Sequence, residues 1–123
     1  MIEAENKRLF VPLSSKPFDW FASGAKRWEL RKYGRQYTER HLTPGRRVEL
    51  RRGYGSGTPS LWGTIADVRQ APSLTEFFHK VPYREIVPGA TSFEDAVRVV
   101  EAILGLDSGA PVRVIGFKIE IHP

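Results

Sequence analysis

The apolar residues of this chain fall into two spacings. Between Arg8 and Leu13, residues Leu9, Val11 and Leu13 recur every second position, the period of a strand with one buried face. Ser14-Ser15-Lys16-Pro17 then places a serine in cap position and a proline in the first turn of a helix. Phe18, Phe21 and Ala22 follow at i, i+3, i+4, which predicts a helix over Pro17 to Ser23. Gly24 is the residue that leaves such a helix in a left-handed conformation. Trp28 and Leu30 return to period two. Arg46 to Arg52 alternates, with Val48 and Leu50 inward and Arg47, Glu49 and Arg51 outward. Leu61 to Val68 reads as a strand with Gly63 at a bulge or a close approach. Ser73-x-x-Glu76 and Thr91-x-x-Glu94 are capping boxes. The first opens a helix with Leu74, Phe77 and Phe78 on its buried side. The second opens the best amphipathic pattern in the chain: Phe93, Ala96, Val97, Val100, Ile103 and Leu104, stopped by Gly105. Val112 to Ile121 is the last strand, with Ile115, Phe117, Ile119 and Ile121 on one face.

Several short strands with helices between them, in this order, predict an α+β barrel, not a doubly wound sheet. The 123 residues suit one domain over 1–123, with residues 1–7 a polar, flexible N-terminal tail. Gly53 to Pro59 reads as a hairpin tip or short flap, and no phosphate-binding loop is present. Val81 to Gly89 is an irregular link containing Pro82 and Pro88. The connection from Lys32 to Thr43 is long and poor in apolar residues, the kind that carries function.

Charge sharpens that reading. The net charge is +5, yet residues 26–52 hold ten Lys or Arg against three Glu, and the remainder is slightly acidic. A basic segment on a near-neutral body is the footprint of a polyanion contact. The competing reading is a solvated arginine-rich surface. Tyr33 and Tyr37 interleave the charges and favour nucleic acid, with Lys32, Tyr33, Arg35, Tyr37, Arg40, Arg46, Arg47, Arg51 and Trp62 as candidate contacts. No cysteine is present, which removes disulfides and thiolate metal sites. His41, His79 and His122 are widely spaced and show no metal-ligand pattern, so no metal or other cofactor is expected. No G-x-S-x-G elbow occurs. The acidic N-terminus does not read as a signal peptide and no apolar run reaches the ~20 residues of a membrane span. A cytoplasmic monomer is expected.

The chemistry concentrates in Gly24-Ala25-Lys26-Arg27-Trp28-Glu29-Leu30-Arg31. In a strand, Trp28 and Leu30 face the core and Arg27, Glu29 and Arg31 face away. Lys26 shares the parity of Trp28, so a bend at Gly24-Ala25 is expected to take it out of the core to meet Glu29 and Arg31. A carboxylate beside two cations stays ionised and can orient a lysine or take a proton from water or a 2′-hydroxyl. A partly desolvated lysine can act as base or nucleophile. The alternative is a structural ion pair on the barrel rim.

Gly24, Lys26, Glu29 and Arg31 spell G-x-K-x-x-E-x-R, which resembles the signature of the ASCH domain, a relative of the PUA domain. The order of elements along roughly the whole chain is similar as well. The resemblance implies an α+β fold on a PUA-like small, partly open mixed β-barrel with flanking helices and a cleft for RNA or a modified nucleotide. It also implies three roles: RNA binding, hydrolysis of acetylated cytidine or RNA at the same cleft, or protein interaction in gene regulation. Lys26, Glu29 and Arg31 are then the candidate catalytic residues. The amidohydrolases of that family resemble G-x-K-T-x-T-x-R and use a distant glutamate. Here Glu29 stands in place of one threonine and Arg27 of the other, which weighs against their route; Glu85 is the candidate for the distant glutamate.

Overall fold

The computed structural model describes residues 7–109 and 111–123; of the tail expected over 1–7, only Lys7 is among them. Its strands are β1 (Leu9–Leu13), β2 (Trp28–Lys32), β3 (Arg47–Arg52), β4 (Ser60–Ala71) and β5 (Val114–Ile121). Its helices are α1 (Ser15–Ser23), α2 (Leu74–Lys80) and α3 (Phe93–Leu104), with a 3-10 turn at Tyr83–Glu85. One mixed sheet in the order β1-β3-β4-β5-β2 curls into a half-barrel. β1 runs parallel to β3, and every other pairing is antiparallel. β1 and β2 are therefore the two free edges, and the seam between them is where the barrel does not close.

The sheet separates two cores. Val11, Val48, Leu50, Ile65, Ile115 and Phe117 fill the concave side, closed at one end by Phe18 and Phe21 of α1. On the convex side α2 and α3 pack over Trp28, Leu30, Ala71 and Val114. Gly116 makes that packing possible: a Cβ there would stand 2.2 Å from Cζ of the fully buried Phe77. Gly63 is also at a close approach, since a Cβ would stand 2.7 Å from the Glu120 carbonyl. The irregularity in β4 falls between Ile65 and Asp67 instead, and β4 runs to Ala71, beyond the expected Val68.

The caps follow their chemistry with one shift. Gly24 (φ 84°) and Gly105 (φ 69°) end α1 and α3 in the left-handed region. Ser73 Oγ accepts from the Glu76 N–H, as its capping box predicts. The box on α3 sits one residue later than expected. Ser92 Oγ accepts from the Asp95 N–H, and the Asp95 carboxylate takes the Thr91 N–H at 2.9 Å.

Candidate functional site at the barrel seam

Three backbone hydrogen bonds shape the approach to β2. After Gly24, the Lys26 N–H donates to the Trp20 carbonyl, Arg27 N–H to the Glu85 carbonyl, and Ile119 N–H to the Arg27 carbonyl. Residues 26 and 27 are thus pinned between α1, the 81–89 link and β5 before the strand begins at Trp28. The bend brings Lys26 to Glu29, as the sequence predicts, but does not take it out to solvent. Lys26 is only 6% exposed and Glu29 7%. The expectation that Lys26 leaves the protein interior is corrected by α1, whose Phe21 ring lies 5.3 Å from its ammonium.

Lys26 Nζ donates to the Ile86 carbonyl at 2.6 Å and stands 3.6 Å from Glu29 Oε1. The other carboxylate oxygen, Oε2, accepts from Arg31 Nε at 2.7 Å. Arg31 Nη2 reaches across the seam to the Pro12 carbonyl on β1 at 3.1 Å. One side chain from one edge strand thus hydrogen-bonds the other. The guanidinium also lies 5.1 Å from the Tyr37 ring, which stacks on Phe117. Burial pushes the Lys26 amine below its ordinary value, and the Glu29 carboxylate only partly restores it. For Arg31 burial opposes the charge, and Glu29 together with Tyr37 and Tyr54 outweighs it, so its value is raised.

These groups form the polar floor of a cavity of about 220 Å³. Its walls are apolar: Pro12 and Leu13 of β1, Pro17 and Trp20 of α1, Ile86 and Val87 of the link, and Val100, Ile103 and Leu104 of α3. Arg31, Ile103 and Leu104 also line a neighbouring groove of about 450 Å³ under Lys32, Tyr33, Arg35 and Tyr37. Cavity and groove share a wall, so the motif opens toward the basic loop.

No protein-family model matches the sequence, and no curated protein does either. Solved structures do match. Hypothetical protein PH0355 superposes over 94% of this chain and 100% of its own, with a TM-score of 0.76 and 21% identity. Protein PF0455 from Pyrococcus furiosus covers 94% of this chain and 97% of its own, with a TM-score of 0.68 and 19% identity. An ASCH protein from Zymomonas mobilis covers 94% of this chain and 69% of its own, with a TM-score of 0.63 and 13% identity. This chain has the ASCH fold.

Within the ASCH fold the sequence-predicted residues fall in several different places. Lys26, Glu29 and Arg31 come together at the seam. Lys32, Tyr33, Arg35 and Tyr37 line the adjoining groove. Arg35 sits at the tip of a tight turn closed by Gly34 and Tyr37, with a positive φ of 53°. Each tyrosine already has a partner: Tyr37 lies on Phe117, and the Arg113 guanidinium lies 3.6 Å from the Tyr33 ring centroid. Arg40 is exposed on the same loop. Arg46 is tied down, donating to the His41 and Lys7 carbonyls. Arg47, Arg51 and Trp62 stand on the convex face of β3 and β4, outside the lining of the seam cavity. The Glu85 side chain does not line the cavity; its carbonyl holds Arg27, and the next carbonyl holds Lys26.

Pattern reading missed the Pro12 and Ile86 carbonyls, since backbone acceptors leave no trace in side-chain identity. It also assigned Ile103 to a buried stripe, whereas Ile103 is 65% exposed at the cavity lip. Among the described residues no group of three or more His, Asp or Glu could hold a metal ion. Nor is any helix among them long and apolar enough to cross a membrane.

Proposed function

We propose that this domain binds RNA or a modified nucleotide, seating one base in the seam cavity and the phosphates along the basic groove. The observation that carries the reading is the convergence of Lys26, Glu29 and Arg31 on the floor of an apolar-walled cavity that opens onto cations. Its volume is below the ~300–1,000 Å³ of pockets that hold drug-sized ligands, which suits a base and not a whole nucleotide. Lys26 and Arg31 supply donors and Glu29 an acceptor, the polar set that reads a base edge. Lys32 and Arg35 lie where phosphates would run.

The test separates a binding site from a structural ion pair. Lys26→Met removes a desolvated charge and leaves Glu29 paired to Arg31 but the Ile86 carbonyl without its donor, so stability should fall by no more than about 1–3 kcal/mol. Nucleotide affinity should fall at least about tenfold, the order expected when a hydrogen bond to a charged group is lost. A variant that melts early, with unchanged binding per folded molecule, would show that the cluster only supports the fold.

A hydrolase at the same cleft is the second reading, favoured by the lowered Lys26 amine. Lys26 would serve as base or nucleophile and Glu29 would orient it. Glu29 in place of a threonine leads us to expect weak or absent acetylcytidine turnover. General acid–base help is worth roughly 10²–10⁴-fold, so turnover that vanishes in Lys26→Met would promote this reading. Turnover that survives the change would place the chemistry elsewhere.

A further inference from the structure

Helices α2 and α3 cover only part of the convex face of the sheet. Their core lies over β2, β5 and the end of β4. Among the described residues no helix covers the rest of that face, on β1, β3 and the first half of β4. What stands there follows from register. Phe10 pairs with Glu49, and Glu49 with Trp62, so the three form one row on one face. Arg47 lies opposite Thr64 in the flanking row, and Arg51 opposite Ser60 in the other. The alternate residues Val11, Val48 and Leu50 point into the concave core.

This uncovered half is not a solvated polar face. Trp62 is 36% exposed and Tyr54, on the turn after β3, is 79% exposed. Tyr54 packs 6.2 Å from the Phe10 ring. Each sheet aromatic carries a guanidinium: Arg47 lies 4.9 Å from the Trp62 centroid and Arg51 4.7 Å from that of Phe10. Glu49, central in the row, is 3% exposed and saturated by Arg8, Arg51 and Ser60, so it offers little negative charge outward. Arg47 makes no ion pair among the described residues. Among the described residues, Glu120, opposite Thr64, is a further carboxylate of this region. Guanidinium planes lying over aromatic rings on an open sheet suit stacked bases with phosphates alongside, since a base can stack on a guanidinium plane as well as on a ring.

We infer that the uncovered half of the convex face, centred on Arg47 and Trp62, is a second contact surface for single-stranded nucleic acid, separate from the seam cavity. The inference rests on the reading of this chain as a nucleic-acid binder, and its test distinguishes the two surfaces. The unaltered chain, Arg47→Glu, Trp62→Ala and Lys26→Met are each titrated with a mononucleotide and with a single-stranded RNA of about twelve nucleotides, a length within the range one small domain spans. Either convex-face change should weaken the oligomer about tenfold or more and leave the mononucleotide unaffected. Residual oligomer binding to Lys26→Met should still fall on adding Arg47→Glu. If Trp62→Ala does not fold, Arg47→Glu carries the test alone.

Oligomer affinity indifferent to the convex-face changes would overturn this surface while leaving the seam reading intact. Loss of the oligomer on Arg47→Glu, with no mononucleotide binding to the unaltered chain, would support this surface and sink the seam reading. No binding of either ligand would sink both. An Arg47-dependent capture of a glutamate-rich peptide with no RNA binding would make the face a protein dock and overturn the inference.

Discussion

Glu29 and Glu49 occupy equivalent local patterns, each a glutamate in an alternating strand, and both end up buried. Their neighbours differ. Glu29 meets an ammonium and one guanidinium beside a cavity. Glu49 receives Arg8, Arg51 and Ser60 and is left with no open side. Burial pushes the Glu49 carboxyl up, but the hydrogen bonds from Ser60, Arg51 and Arg8 outweigh it and hold it at about 2. A depressed carboxyl contributes stability that is complete above its unfolded value and lost as pH falls toward its folded one. Acid titration followed by circular dichroism should therefore show stability draining between about pH 4.5 and pH 2. Glu49→Gln should remove much of that drain and cost on the order of 3 kcal/mol at neutral pH. An unchanged acid profile in Glu49→Gln would contradict the role assigned to this carboxylate. Gly116→Ala is a second residue-scale expectation. The added methyl meets a fully buried ring, so thermal unfolding should report a loss of about 1–3 kcal/mol, the usual cost of overpacking. Residue identity marked Lys26, Glu29 and Arg31 as a cluster. Their burial and the closure around Glu49 were not legible, because both depend on what crosses over from other strands.

At the scale of elements, periodicity located the five strands and three helices among the described residues, with ends moved by at most three residues. Strand β4 lengthened because Arg69 to Ala71 pair with β5, and a single segment does not display its partner. The cap of α3 shifted because two adjacent residues, Thr91 and Ser92, can both cap, and two adjacent acids stand three residues on. Local sequence leaves that choice open; the structure sets Ser92 in the extended conformation of a cap, with its hydroxyl on the Asp95 N–H. Ser92→Ala should therefore lower stability by about 1 kcal/mol, while Thr91→Ala, which keeps the backbone N–H bond to Asp95, should cost less. Thermal melts of the two variants check this directly, and the reverse order would restore the cap predicted from the sequence. The candidate site is itself a product of several elements. Its floor comes from one stretch of six residues, but its walls come from β1, α1, the link and α3.

At the scale of the molecule, the basic segment does not act as one unit. Lys32, Arg35 and Arg40 are exposed along the loop, Arg46 is a brace holding two carbonyls, and Arg47 and Arg51 stand on the convex face. On the proposed function, Arg35→Ala with Arg40→Ala should flatten the salt dependence of single-strand RNA binding by about 0.7 in log–log slope per contact removed. Arg46→Ala should instead lower the melting temperature and leave that slope alone. Equal effects on the slope from both changes would mean that the brace assignment is wrong. What the sequence alone determined is local: apolar periodicity marked the strands and helices, glycine and serine marked their ends, and charge marked the segment that carries the chemistry. These depend on near neighbours, which a sequence displays. Only the tertiary structure decided that the opening of the barrel lies between β1 and β2, that Arg31 reaches across that seam, that Lys26 is desolvated beneath α1, and that the arginines divide between two faces. Each of these depends on strands distant in sequence meeting in register, and an edge, a seam or a cavity exists only once they have met.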